Sequence, residues 1–156
     1  MNHADLVDSF YKAFARRDAA GMVACYAPNV VFQDPAFGQL HGARAAAMWT
    51  MLCAQAKDLV VQHRDIRIAG DRGLAHWEAD YLFSKTGRAV HNSINATFRF
   101  ANGKIIEHTD AFSMWKWSRQ ALGTTGWLLG WTPIVRNRVQ QQARASLAAF
   151  MEGKAS

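Results

Sequence analysis

Gly103-Lys104-Ile105-Ile106-Glu107-His108-Thr109-Asp110-Ala111-Phe112 is the stretch whose reading decides how the rest of the chain is understood. The Asn102-Gly103 pair in front of it is a turn signal between two β-prone runs, Ile94 to Phe100 and Lys104 to Phe112. It therefore reads as the second arm of a hairpin. Side chains alternate along a strand, so Ile106, His108, Asp110 and Phe112 are expected on one face. A carboxylate on an otherwise apolar inner face must be paired, hydrogen-bonded or neutralised. Asp110 is thus the first candidate for chemistry, and His108, two residues away, is placed to orient it or share its proton.

Upstream of the hairpin the same alternation recurs. Leu59 to Ile68, Leu74 to Phe83 and Ala89 to Phe100 read as long strands separated by Gly70-Asp71-Arg72-Gly73 and Lys85-Thr86-Gly87-Arg88. With the Lys104 strand they predict a four-stranded antiparallel meander, joined at its edge by a short strand at Val30 to Gln33. Before residue 59 the period is helical. Leu6, Val7, Phe10, Tyr11 and Phe14 mark a first amphipathic helix, and Asp18 caps a second that carries Met22, Val23 and Tyr26. Gly42 to Ala56 is a third, with Ala45, Met48, Trp49 and Leu52 on one stripe; Ala36 to His41 is a loop. Helices first and a long antiparallel sheet afterwards is the pattern of an α+β domain whose helices cover one face of a curved sheet. A sheet curved in this way encloses a cone, and cones commonly hold a small-molecule pocket.

Downstream, Trp115, Trp117 and Leu122 belong to a tryptophan-rich segment, and Gly123 to Gly130 reads as a loop. Thr132-Pro133 starts a last helix that runs to about Met151. Its apolar side comprises Ile134, Val135, Val139, Ala143, Leu147, Phe150 and Met151. The tryptophans here are expected to pack the final helix or form a dimer contact. A single domain over 1–156 follows, with a core of about 4–113 and a helical extension of about 114–152.

The chain has 156 residues, half of them apolar, and a formal charge of +6. Its basic residues are scattered and accompany no nucleic-acid motif, so no nucleic-acid partner is expected. No stretch reaches the ~18 apolar residues of a membrane span, and the first residues do not form a signal peptide, so a cytoplasmic location without membrane contact is expected. Cys25 and Cys53 lack the spacing of a metal site or disulfide framework. His63, His76 and His91 fall on different strands without ligand spacing, and neither metal nor cofactor is called for.

Several strings then become recognisable together: Phe10-Tyr11-Lys12-Ala13-Phe14-Ala15-Arg16-Arg17-Asp18, Tyr26-Ala27-Pro28-Asn29-Val30-Val31-Phe32-Gln33-Asp34-Pro35, His41-Gly42-Ala43-Arg44, and Phe98-Arg99-Phe100 before Asn102-Gly103-Lys104. Over roughly Leu6 to Phe112 the chain resembles the nuclear transport factor 2-like superfamily, in its SnoaL-like and ketosteroid-isomerase-like branch. The resemblance implies a cone-shaped α+β fold that hosts several chemistries and non-catalytic modules alike. It implies that Asp34 stands where ketosteroid isomerases keep their general base. The positions of their oxyanion-hole tyrosine and aspartic acid fall on Phe10 and Ala96, which cannot donate, so steroid isomerase activity is disfavoured. SnoaL-like cyclases carry an aspartate acid/base where this chain has Asp110. Limonene epoxide hydrolases add an arginine and a second aspartate on a neighbouring strand. Here the expected register turns Trp77, Ala79 and Tyr81 inward and leaves Glu78 and Asp80 outside.

The candidate catalytic residues are therefore Asp110, Asp34 and His108, and the candidate pocket walls Trp49, Trp77, Tyr81, Phe98 and Phe112. Each also has a structural reading: Asp34-Pro35 can end a strand through an Asx-type turn, and Asp110 can be held by Tyr11, Tyr26 or a tryptophan indole. The functional expectation is cofactor-independent acid/base chemistry, of isomerase, cyclase or hydratase type, on a small apolar carbonyl or cyclic compound. The alternative is a non-catalytic ligand-binding or dimerisation module. A homodimer through the open sheet face is expected on either reading.

Overall fold

Asn102 and Gly103 both adopt positive φ, 52° and 74°, the conformation a two-residue hairpin turn demands. That turn joins β5 (Arg88–Ala101) to β6 (Lys104–Ala111) in the computed structural model of the chain, which describes residues 1–155. β3 (Val60–Ala69) and β4 (Arg72–Phe83) complete the expected antiparallel meander. The inner positions alternate as predicted: Trp77 and Ala79 are buried and Tyr81 half-buried, while Asp80 is exposed. A bulge between Arg99 and Phe100 puts Ile105 rather than Ile106 fully inside, after which His108 and Asp110 resume the buried register.

The other edge departs from the sequence reading. β1 is a nine-residue strand, Tyr26–Asp34, and it runs parallel to β6, with Phe32 opposite His108. Pro28, which has no amide hydrogen to give, falls where the β1–β6 register shifts. Residues 36–41, expected as a loop, contain β2 (Gly38–His41), paired back on β1 from Val31 to Asp34. The cause is local: the Asp34 carboxylate accepts the Phe37 amide at 2.6 Å, folding the chain into a tight turn. The six-stranded order is β2-β1-β6-β5-β4-β3.

α1 (His3–Ala15) and α3 (Ala43–Gln55) lie over the concave face. α1 sends in Leu6, Val7, Phe10, Tyr11 and Phe14, and α3 sends in Met48 and Trp49. α2 (Ala19–Val23) is a short link capped by Asp18, whose carboxylate accepts from the Gly21 amide at 2.9 Å. The convex face carries polar side chains instead. His76 bonds Asn95 and Ser93, and His91 bonds Asp80 and Glu78.

The tryptophan-rich segment is helical. α4 (Met114–Leu122), capped by Ser113, buries Met114, Trp117 and Ala121 against Val90 of β5. The expected loop after it contains α5 (Thr124–Leu129). Finally α6 (Pro133–Ala155) comes back across the β1–β2 turn. Arg144 donates to the Phe37 and Gln39 carbonyls at 2.8 and 3.1 Å, Gln140 donates to the Pro35 carbonyl at 3.1 Å, and Leu147 is wholly buried in the main core. Ile134, expected on the apolar side of this helix, is instead exposed. Among the described residues no helix is long and apolar enough to cross a membrane.

Candidate functional site

β6 delivers His108 and Asp110 to the bottom of the cone, 0% and 3% exposed. Because β1 lies beside β6, Tyr26 reaches the same spot, and α3 brings Trp49 above it. The result is a continuous buried chain. The Trp49 indole donates to the Tyr26 hydroxyl at 2.8 Å, Tyr26 Oη lies 2.7 Å from His108 Nδ1, and His108 Nε2 lies 2.9 Å from Asp110 Oδ1. Trp77 donates its indole N–H to that same Oδ1 at 3.2 Å.

The donor inventory fixes how protons run along this chain. An ionised carboxylate only accepts, so His108 Nε2–H donates to Asp110; Nδ1 is then an acceptor and takes the Tyr26 hydroxyl proton. Trp49 fills the remaining acceptor site on Tyr26. Both ring nitrogens of His108 and the Tyr26 hydroxyl are satisfied in this arrangement. Rings hold the imidazole in place: Phe98 lies 4.5 Å from its centroid, Phe32 5.2 Å and Phe10 5.4 Å. Burial drives the Tyr26 phenol well above its ordinary range, so it stays protonated as this arrangement requires.

Two polar groups of this assembly lack full partners. Both hydrogen bonds to Asp110 fall on Oδ1, so Oδ2 has none among the described residues. The Tyr11 hydroxyl, from α1, is buried without a hydrogen-bond partner. Burial raises its pKa well above the ordinary value, and the nearby charge of Asp110 pushes it further up. Buried polar groups are normally hydrogen-bonded, so each of these two calls for an explanation.

Asp34 stands at the mouth, half-buried. Burial, reinforced by the charge of Asp110, pushes its pKa up to about 7 against the pull of the Phe37 and Ala36 amides. It therefore makes the Asx-type turn and is a perturbed acid at the same time. Tyr81, whose hydroxyl accepts from the Trp117 indole at 2.8 Å, has its pKa raised by burial and by the Asp34 charge. Tyr81 and Phe112 touch both the main core and the α4 cluster, so they line the seam between cone and extension.

Of the residues singled out from sequence, Asp110, His108, Trp49, Trp77 and Phe98 meet in one buried assembly, while Asp34, Tyr81 and Phe112 gather at the seam above it. Trp49 and Trp77 act there through their N–H groups as well as their faces. Tyr26, the central link, enters the sequence reading only as a possible partner of Asp110; it bonds His108 instead, and β1 carries it there although helical periodicity places it in the second helix. Its signal is the aromatic–apolar alternation Val30-Phe32, which extends back to Tyr26 only across the Pro28 irregularity. Among the described residues no group of three or more His, Cys, Asp or Glu side chains is arranged to hold a metal ion.

Residues 7–108 match the profile of the SnoaL-like domain. Solved structures of similar shape include a candidate polyketide cyclase from Pseudomonas putida KT2440, 22% identical with a TM-score of 0.65 over 78% of this chain and 98% of that one. A ketosteroid isomerase-like protein from Catenulispora acidiphila in complex with trimethylamine is 15% identical, with a TM-score of 0.68 over 83% and 98%. An LEH-like epoxide hydrolase from M. tuberculosis is 17% identical, with a TM-score of 0.65 over 81% and 94%. At these identities the likeness is one of fold. No curated protein sequence matches the chain significantly.

Proposed function

Because the chain belongs to the SnoaL-like family, we propose that it carries out cofactor-independent acid/base chemistry on a small apolar carbonyl or cyclic compound. The observation that supports this most is the state of Asp110: one oxygen anchored by His108 and Trp77, the other free, in a site almost closed to water. A carboxylate so held is oriented without being used up, and the low dielectric strengthens whatever its free oxygen meets.

In this reading Oδ2 of Asp110 takes a proton from the substrate and returns it. His108 tunes the base by donating Nε2–H to Oδ1, with Tyr26 and Trp49 fixing its tautomer. Asp34, titrating near neutrality, is the second polar group, able to give a proton to a developing oxyanion from the mouth. Tyr11 offers a further hydroxyl. Tyr81 and Phe112 meet an apolar substrate first; Trp49, Trp77 and Phe98 form the walls beneath.

A screen of apolar ketones, lactones and epoxides for raised melting temperature, followed by comparison of wild type with Asp110→Asn, tests this. Turnover lost with affinity kept supports the acid/base role. Loss of both would make Asp110 a structural group. The second reading, a non-catalytic binding module, is favoured by the His108 imidazole, both of whose nitrogens are already engaged by Tyr26 and Asp110. A homodimer through the convex sheet face belongs to both readings, and the ordered polar rows around His76 and His91 are its candidate contact; light scattering at micromolar protein tests it.

A further inference from the structure

The geometry points to a second functional surface, away from the cone: α5 and the start of α6 form a docking patch for anionic membrane surfaces. The observation is an inverted helix. α5 sits on α4 through glycine, since both Gly126 and Gly130 are buried. A Cβ on Gly126 would run into the Ser118 carbonyl, and one on Gly130 would lie 2.7 Å from the Ser118 Cβ. With glycine facing inward, the large side chains face out. Trp127, Leu128, Leu129, Trp131 and Ile134 are 59%, 67%, 50%, 69% and 74% exposed within eight residues of chain. Of the two sequence expectations for Trp127 and Trp131, packing under the final helix does not occur, and a dimer contact is an outcome of the test below. Contiguous exposure of this kind marks an interaction site.

Charge selects the occupant. Residues 111–151 contain five basic side chains and no acidic one. Arg119 stacks on Trp115 at 4.3 Å and on Trp127 at 5.4 Å, placing a guanidinium at the edge of the patch. Arg138 follows Ile134 by one helical turn, on the same side of α6. Tryptophan, leucine and isoleucine ringed by arginine is the composition of an interfacial segment that buries its apolar side chains at headgroup depth over anionic lipid. A second copy fits worse, since two-fold pairing would gather the arginines of both copies in one interface while residues 111–151 offer no acidic side chain to meet them. The patch lies on the extension, apart from Asp110, so this inference does not depend on the chemistry proposed there.

The test is sedimentation of the full chain with vesicles of phosphatidylcholine, alone or mixed with phosphatidylglycerol, while tryptophan emission is followed. Binding to the mixed vesicles with a blue shift, weakened by salt and nearly absent on phosphatidylcholine alone, is the expected result. Arg138→Gln should weaken binding roughly fivefold. Leu128→Ser, at an exposed position that leaves the fold intact by circular dichroism, should weaken it about tenfold. Wild type left in the supernatant with mixed vesicles would overturn the inference, as would binding unchanged in Leu128→Ser. A dimer that Leu128→Ser converts to monomer would assign the patch to a second copy and overturn it equally.

Discussion

Replacing Asp34 by Asn isolates the ionisation of one carboxyl while keeping its turn, because the Asn side-chain carbonyl can still accept the Phe37 amide now held at 2.6 Å. The Asp34 pKa is raised from 3.8 to about 7 by burial and by the charge of Asp110. A group whose folded pKa is raised stabilises fully below its unfolded pKa and loses that contribution as pH climbs to the folded value. Between 3.8 and about 7 the unfolded chain gives up its proton while the folded protein keeps it, so stability falls with rising pH across that window. The full shift would be worth about 4 kcal/mol. Asp34 keeps some contact with solvent, and halving for that leaves about 2 kcal/mol. Urea unfolding of wild type and Asp34→Asn should therefore give an advantage to the variant that is absent at the acid end and reaches about 2 kcal/mol by the alkaline end. In melting temperature this is about 4–8 °C for a chain of this size. A difference that stays constant across the window would refute the reasoning and make Asp34 an ordinary turn residue.

Tyr26→Phe strips the partner from both the Trp49 indole and His108 Nδ1, and two buried groups left unmet should cost about 3 kcal/mol in urea unfolding. Tyr11→Phe removes a hydroxyl with no protein partner, so stability should hold or rise by up to about 1 kcal/mol; affinity for a carbonyl ligand found by screening should fall in the same variant. Leu147→Ala empties a wholly buried anchor of α6 and should destabilise by about 3 kcal/mol, with amide exchange rising first around Phe37 and Gln39.

The four meander strands, their tight turns and the inward register of Trp77, Ala79, His108 and Asp110 can be read from the sequence, because alternation and turn chemistry act over a few residues. What escapes such a reading depends on contacts made elsewhere. β1 looks short because Pro28 interrupts its period, and its place beside β6, which carries Tyr26 to His108, is a tertiary choice with no local mark. β2 is hidden because the Asp34–Phe37 bond that creates its turn also accounts for a simple strand end. α5 reads as a loop because its buried face is glycine, which usually argues against a helix. The candidate acids and the pairing of Asp110 with His108 are therefore visible in the sequence, while the extension of that network through Tyr26 to Trp49 is not.

Asp110 acting as a base through one free oxygen is the central claim, and proton exchange reports it most directly. In deuterium oxide the wild-type protein should exchange the α-hydrogens of a bound cyclic ketone, followed by proton NMR. Asp110→Asn should bind the same ketone and exchange it no faster than buffer. Exchange by the Asn variant at the wild-type rate would contradict the assignment.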